Sequence, residues 1–185
     1  REPGRGFGLL GNFFPGWTGV YGLETVHGPD ALVNPWLREL AGVSGIERLW
    51  DWRLYVEAGT LAKARPFLDA LNVRFYFDLL SKDPALAQSL TFRHGADLDV
   101  YESPTAWPRA FFTNRVSTYG EPAELVTLFR AAPGAPLAAF QRSDAAAQAA
   151  IARLNPSAAE ATAVPATGYR LKENSTSFRV RAPAP

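Results

Sequence analysis

The spacing of apolar residues switches repeatedly between strand and helix periods along this chain. Gly6–Leu10 is a short apolar run bounded by glycines and predicts a first strand. Asn34-Pro35 reads as a helix start, with Asn34 as cap and Pro35 in the first turn. Trp36, Leu37, Leu40, Ala41 and Ile46 form its apolar side, and Gly42 or Gly45 ends it. Leu49–Val56 reads as one aromatic strand, with Trp50 and Trp52 on one face and Asp51 and Arg53 on the other. From Thr60, the recurrence of Leu61, Ala64, Leu68 and Leu71 predicts a helix. Pro66 conflicts with it, so the helix either begins near Pro66 after a separate turn or kinks there.

Val73–Leu80 has strong strand propensity. Ala85–Ser89 suggests a helical turn, Leu90–Phe92 a short strand and His94–Asp97 a turn. Leu98–Asn114 then reads as two short strands joined by a turn, with Leu98, Val100 and Glu102 alternating against Asp99 and Tyr101. Ser103-Pro104 and Pro108 break that pattern, and Arg109 sits between a proline and the apolar run Ala110–Phe112. A guanidinium there is expected to brace the turn through several hydrogen bonds. Further on, Val116–Tyr119 suggests a strand, Glu121-Pro122 starts a helix through Phe129, and Leu137–Phe140 suggests another strand. Ser143-Asp144 caps an alanine-rich helix to Leu154, stopped by Asn155-Pro156. Ala161–Val164 and Tyr169–Leu171 read as edge strands. Ser177–Arg181 alternates Phe178 and Val180 against Arg179 and Arg181.

Strands and helices thus intermingle, which predicts an α/β or α+β fold with a mixed β-sheet and packed helices. Residues 1–165 are read as the mixed α/β domain, and 166–185 as strands leading towards a truncated β-sandwich. The core is expected to hold Leu61, Leu68, Leu71, Val73, Phe75, Phe77, Val100, Phe111, Leu125 and Leu128.

Composition narrows the function classes. With 185 residues, 47% hydrophobic and 20% charged, the chain is ordinary globular material. A net charge of +1 gives no electrostatic case for nucleic acid or anionic lipid. The absence of cysteine excludes disulfides, thiolate catalysis and cysteine metal sites. A chain that starts at Arg1 and contains no methionine is expected to be processed or cut from something longer. No apolar run reaches the length of a membrane span.

Candidate chemistry is sparse. Phe13, Phe14, Trp17 and Tyr21 lie in a glycine-rich loop and could stack on sugar faces, though such rings more often fill a core. His27 is followed by Gly28-Pro29-Asp30, a spacing more typical of turns than of catalysis. The only other histidine is His94, so no metal set is visible. Glu24, Asp30, Asp51 and Asp78 offer carboxylates for hydrolysis, which works only at defined separations. The ligand-binding candidates are therefore Trp17, Tyr21, His27, Asp30 and Arg109, with no catalytic residue, metal or cofactor assigned.

The order of these signals resembles the extracytoplasmic soluble region of the YfhO-like family of polytopic bacterial membrane proteins, which are similar to glycosyltransferases of the C-type fold. The resemblance is carried by Asn12 and Gly16 through His27-Gly28-Pro29-Asp30-Ala31-Leu32, and by Leu71-Asn72-Val73-Arg74-Phe75-Tyr76. It is most specific at Val100-Tyr101-Glu102-Ser103-Pro104 with Trp107-Pro108-Arg109-Ala110-Phe111. It continues in Ala149–Pro156 and in Tyr169–Pro185. The family often has asparagine at Ser103, leucine at Trp107 and a plainer glycine-tyrosine pattern around His27. The resemblance implies membrane helices before Arg1 and more of a β-sandwich after Pro185. It also implies a catalytic carboxylate in the membrane part, outside this chain. It further implies a non-catalytic role in shaping acceptor binding or docking a partner. The partners would be the rest of its own membrane chain and a glycan or lipid-linked sugar, not nucleic acid. The residue-level alternative is a carbohydrate- or polymer-binding module with an aromatic platform.

Overall fold

The computed structural model describes residues 3–12, 20–26, 34–46, 48–50, 53–80, 83–153, 162–172 and 175–182. The first half of the chain runs β1 (Arg5–Gly8), α1 (Pro35–Val43), β2 (Arg48–Trp50), β3 (Arg53–Tyr55), α2 (Ala58–Ala70) and β4 (Val73–Asp78). It continues with α3 (Pro84–Ala87), β5 (Thr91–Gly95), β6 (Asp99–Glu102), β7 (Phe111–Thr113), β8 (Val116–Tyr119) and α4 (Pro122–Ala131). Last come β9 (Ala138–Gln141), α5 (Ala145–Arg153), β10 (Ala163–Pro165), β11 (Thr167–Lys172) and β12 (Ser175–Arg179). The content is mixed α/β, as the alternating periods predict.

A four-stranded sheet in the order β1-β4-β6-β5 forms the centre. β1 and β4 are parallel, and the other neighbours antiparallel. A parallel pair needs a long crossover, which α1, the β2–β3 pair and α2 supply. α1, α2 and α4 pack on one another, and the main core lies around them and the sheet. Small two-stranded pairs flank this centre: β7 with β10, β8 with β9, and β11 with β12. Among the described residues no helix is long and apolar enough to cross a membrane.

Helix starts follow the capping signals. The Asn34 side chain accepts from the Trp36 N–H at 2.9 Å. Asp144 Oδ1 accepts from the N–H groups of Ala146 and Ala147, both at 3.0 Å. α2 starts at Ala58, with Thr60 in its first turn accepting from the Glu57 N–H. It then runs on through Pro66, so the helix does not begin there after a separate turn. The helix bond that Pro66 cannot make would have gone to the carbonyl of Ala62, which lies on the exposed side.

The faces of the sheet are reversed from the simple alternation. Val73 is buried, but so are Tyr76 and Asp78, while Phe75 and Phe77 are half-buried. The cause is a bulge: Arg5 pairs with Val73 and Gly6 with Phe75, leaving Arg74 as the extra residue. One residue of slip moves every later side chain to the other face. A second irregularity lies in β5, where Phe92 pairs with Tyr101 and His94 with Val100, leaving Arg93 over. One face therefore carries an aromatic row across all four strands, Phe7, Tyr76, Tyr101 and Phe92 in register, buried at the first three and exposed at Phe92. Of the expected core, Leu61, Leu68, Val73 and Leu125 are buried, whereas Leu71, Phe75, Phe77, Val100, Phe111 and Leu128 are only partly so.

Three further expectations change. Leu49–Val56 is not one strand: β2 and β3 pair antiparallel, Trp50 opposite Arg53, and the facing read for Asp51 and Trp52 lies outside the described residues. His94 lies within β5 rather than in a turn. β6 and β7, the two strands read around Ser103–Arg109, belong to different sheets. β7 instead pairs antiparallel with β10 over three residues, Thr113 meeting Ala163 and Phe111 meeting Pro165.

Candidate functional site

The segment after β6 closes over the end of α2. Asp69, in the last turn of α2, is buried on the same side as Leu68. Ser103 Oγ donates to Asp69 Oδ1 at 2.7 Å, and Thr105 Oγ1 donates to Oδ2 at 2.6 Å. The Trp107 N–H donates to the Asp69 carbonyl at 3.0 Å, and Asn72 Nδ2 donates to the Trp107 carbonyl at 2.7 Å. Asn72 holds φ at 62°, a left-handed conformation that asparagine tolerates better than most residues. Burial pushes the Asp69 carboxyl up from its ordinary value, against the opposing pull of the Thr105 and Ser103 hydroxyls and of Arg65. Tyr76 stands beneath, its hydroxyl buried without a hydrogen-bond partner among the described residues and its acidity suppressed by burial.

Arg109 leaves this segment in the other direction and forms an ion pair with Glu24. The Glu24 carbonyl in turn accepts from the Gly6 N–H at 2.7 Å. Arg5 donates to the Leu71 carbonyl at 2.9 Å. Its pKa is lowered by burial and by the neighbouring charge of Arg109, while Glu24 acts the other way. Arg109 therefore ties the turn to the segment beside β1 through a salt bridge, rather than bracing the turn from within by several bonds. Ala110 anchors the distal strands: Tyr169 Oη accepts from its N–H and donates to its carbonyl, both at 3.1 Å.

Beside the turn lies an apolar recess of about 250 Å³. Leu40, Phe67, Leu125 and Leu137 are buried parts of its wall. Trp107 forms another part, held edge-on against Phe129 (ring centroids 5.3 Å, 85°) and Phe111 (6.0 Å, 90°). Trp36, 43% exposed, stands at the rim with half-buried Leu37 and Ala70.

A second buried polar pair, in the sheet, is acidic. Asp78 and Asp99 face each other across β4 and β6, both buried. Both oxygens of Asp99 lack a hydrogen-bond partner among the described residues. Burial, and then the charges of Asp99, Asp78 and Asp83, push the Tyr101 phenol up from its ordinary value. Among the described residues no group of three or more histidines and carboxylates is placed to hold a metal ion.

Of the sequence candidates, Trp17, His27 and Asp30 lie outside the described residues. So do Phe13, Phe14, Asp51 and Trp52. Tyr21 is 67% exposed, whereas Arg109 is half-buried. Sequence reasoning missed Asp69, Ser103, Thr105, Trp36 and Trp107. Asp69 had a signal: it stands eight residues after Leu61, on the face that the helical repeat buries. The recess had none, since its walls come from α1, α2, the turn, β8, α4 and β9.

The fold and site together define a mixed α/β domain with a hydrogen-bonded clamp beside an apolar recess. No family model, no curated protein and no solved structure matches this chain.

Proposed function

We propose that this chain is a non-catalytic, ligand-holding and docking domain, the extracytoplasmic soluble region of a YfhO-like membrane glycosyltransferase-like protein. One observation carries the reading. The residues of its most specific motif are engaged internally: Ser103 on Asp69, Trp107 on Asp69 and Asn72, Arg109 on Glu24. A motif used this way positions neighbouring surfaces and leaves the chemistry to another part of the parent protein. The ribbon β11–β12 adds support, because Phe178 in β12 and Val180 just after it remain 47% and 39% exposed, as suits a surface that receives a further layer.

The test uses the parent protein. Its flanking sequence should hold a series of apolar spans, each of about 20 residues. Deleting the present region should abolish sugar transfer by the parent, while the isolated chain transfers none. Turnover of any activated sugar by the isolated chain would refute the reading. A second reading, a carbohydrate-binding aromatic platform, is favoured by the exposure of Tyr21. It requires saturable glycan binding that Tyr21→Ala weakens, and flat titrations would remove it.

A further inference from the structure

We infer that the recess between α1, α2 and α4 binds the hydrocarbon end of a single-chain amphiphile. The inference rests on the ligand-holding part of the proposed function and names the ligand class.

The chemistry of the walls selects the occupant. They are built mainly from alkyl and aromatic side chains; among the described residues their only polar side-chain atoms are the Tyr119 hydroxyl and the Trp36 and Trp107 indole N–H groups, with no charged or amide side chain. A sugar or nucleotide pushed inside would leave its hydroxyls or phosphates unpaired, whereas hydrocarbon enters without that penalty. The size is adequate: an apolar cavity of about 150 Å³ holds benzene, and this one measures about 250 Å³. The rim decides between a wholly apolar guest and an amphiphile. Trp36 is 43% exposed and Ala70 and Leu71 half-buried, so the recess reaches the surface. An occupant with a polar end keeps that end in water there, beside an indole that suits such a boundary.

The recess is also pre-formed. Asn34 and Pro35 fix the start of the helix that carries Trp36 and Leu37. Trp107 is held from both sides by Phe111 and Phe129, and its backbone is bonded to Asp69 and Asn72. Little ordering is therefore left for binding to supply.

The experiment titrates the chain with 1-hexanol and 1-decanol, followed by tryptophan fluorescence and calorimetry. Decanol should bind saturably, and about tenfold or more tightly than hexanol, given the usual gain per buried methylene. Ala139→Phe, filling the recess from β9, should weaken decanol binding by about tenfold or more while the chain still unfolds cooperatively. Leu37→Trp, closing the rim from α1, serves as the second variant should the first fail to fold. A parallel arm presents phosphatidylcholine vesicles with dibrominated chains. Quenching by vesicles that Ala139→Phe removes would identify a lipid chain as the source. Saturable decanol binding without it would identify a free amphiphile. Linear, unsaturable titrations with both probes, or equal affinity in parent and filled variants, would overturn the inference. These readouts need no parent protein, so a parent lacking membrane spans would sink the proposed location and leave the decanol result standing.

Discussion

Asp69 and Asp99 are equally withdrawn from water, 2% and 1% exposed, yet their surroundings differ completely. Asp69 ends a helix and meets a turn whose Ser103 and Thr105, two residues apart, reach one carboxylate oxygen each. Asp99 faces Asp78 in an antiparallel register and lies against Gly95. A side chain at Gly95 would place its Cβ 2.7 Å from Asp99 Oδ1, so the glycine leaves the room that the carboxylate occupies. Like charges directly opposite in a sheet are destabilising, and a buried carboxylate without donors has lost its water for nothing in return. The difference teaches that burial of a charge says little about what it contributes. The donors decide, and here they come from one short turn.

The largest expected effect follows from removing the satisfied carboxylate. Asp69→Ala strands both hydroxyls and loosens the turn that carries Trp107, and should lower the unfolding free energy by about 3 kcal/mol, read by urea denaturation. Asp99→Asn should move the other way, raising stability by about 1–2 kcal/mol, because it replaces a buried carboxyl that has no donor among the described residues. A loss at Asp99→Asn as large as that at Asp69→Ala would break the comparison, since Asp99 would then be held by a partner of its own.

Acidity sharpens the same contrast. Burial holds the folded-state pKa of Asp69 above its ordinary value, and unfolded aspartate titrates near about 3.9. In the window between those two values the folded chain keeps a proton that the unfolded chain has released. The Asp69 contribution to stability is therefore greatest below that window and declines as pH rises through it. Asp69→Asn should remove that decline, so its unfolding free energy, measured from pH 3 to 7, should rise more or fall less with pH than that of the parent chain. An unchanged slope would show that the hydroxyls and Arg65 offset burial at this site, and a slope changed in the opposite sense that they outweigh it.

Helix starts were legible because each is decided by one or two neighbouring residues: Asn34-Pro35, Glu121-Pro122 and Asp144 stand where the chain pattern places them. Strand faces were not. Alternation counted from Val73 predicts Phe75 and Phe77 inside, and only the pairing with β1 reveals Arg74 as the extra residue that reverses the count. The aspartates could not be told apart for a similar reason. Ser103 lies 34 residues from Asp69, and Arg109 lies 85 from Glu24. Arg109 could be singled out as an arginine in an unexpected place, but its partner is set by tertiary contact. The recess is more distant still from any local signal, because no single element contributes more than a fraction of its wall.

The two bulges also explain a third carboxylate, and it gives the smallest expected effect. Each bulge sets aside an arginine, and both arginines return to β6: Arg74 Nε lies 2.8 Å from Glu102 Oε1, and Arg93 Nε 2.7 Å from Oε2. Burial opposes ionisation of Glu102, but the hydrogen bonds and charges of Arg74 and Arg93 prevail and hold its carboxyl below its ordinary value. Glu102 thus has strong donors on both oxygens, as Asp69 has, but the arginines keep 34% and 56% of their side chains exposed. Solvent screens such pairs, so each contributes about 0.2–1 kcal/mol at most. Glu102→Gln should lower stability by less than about 1 kcal/mol at neutral pH. The loss should shrink in high salt. It should also vanish as pH falls through the depressed folded-state pKa, where the parent carboxylate is itself protonated. A loss rivalling that of Asp69→Ala would mean that the bulged arginines, and not the turn over α2, hold the sheet in register.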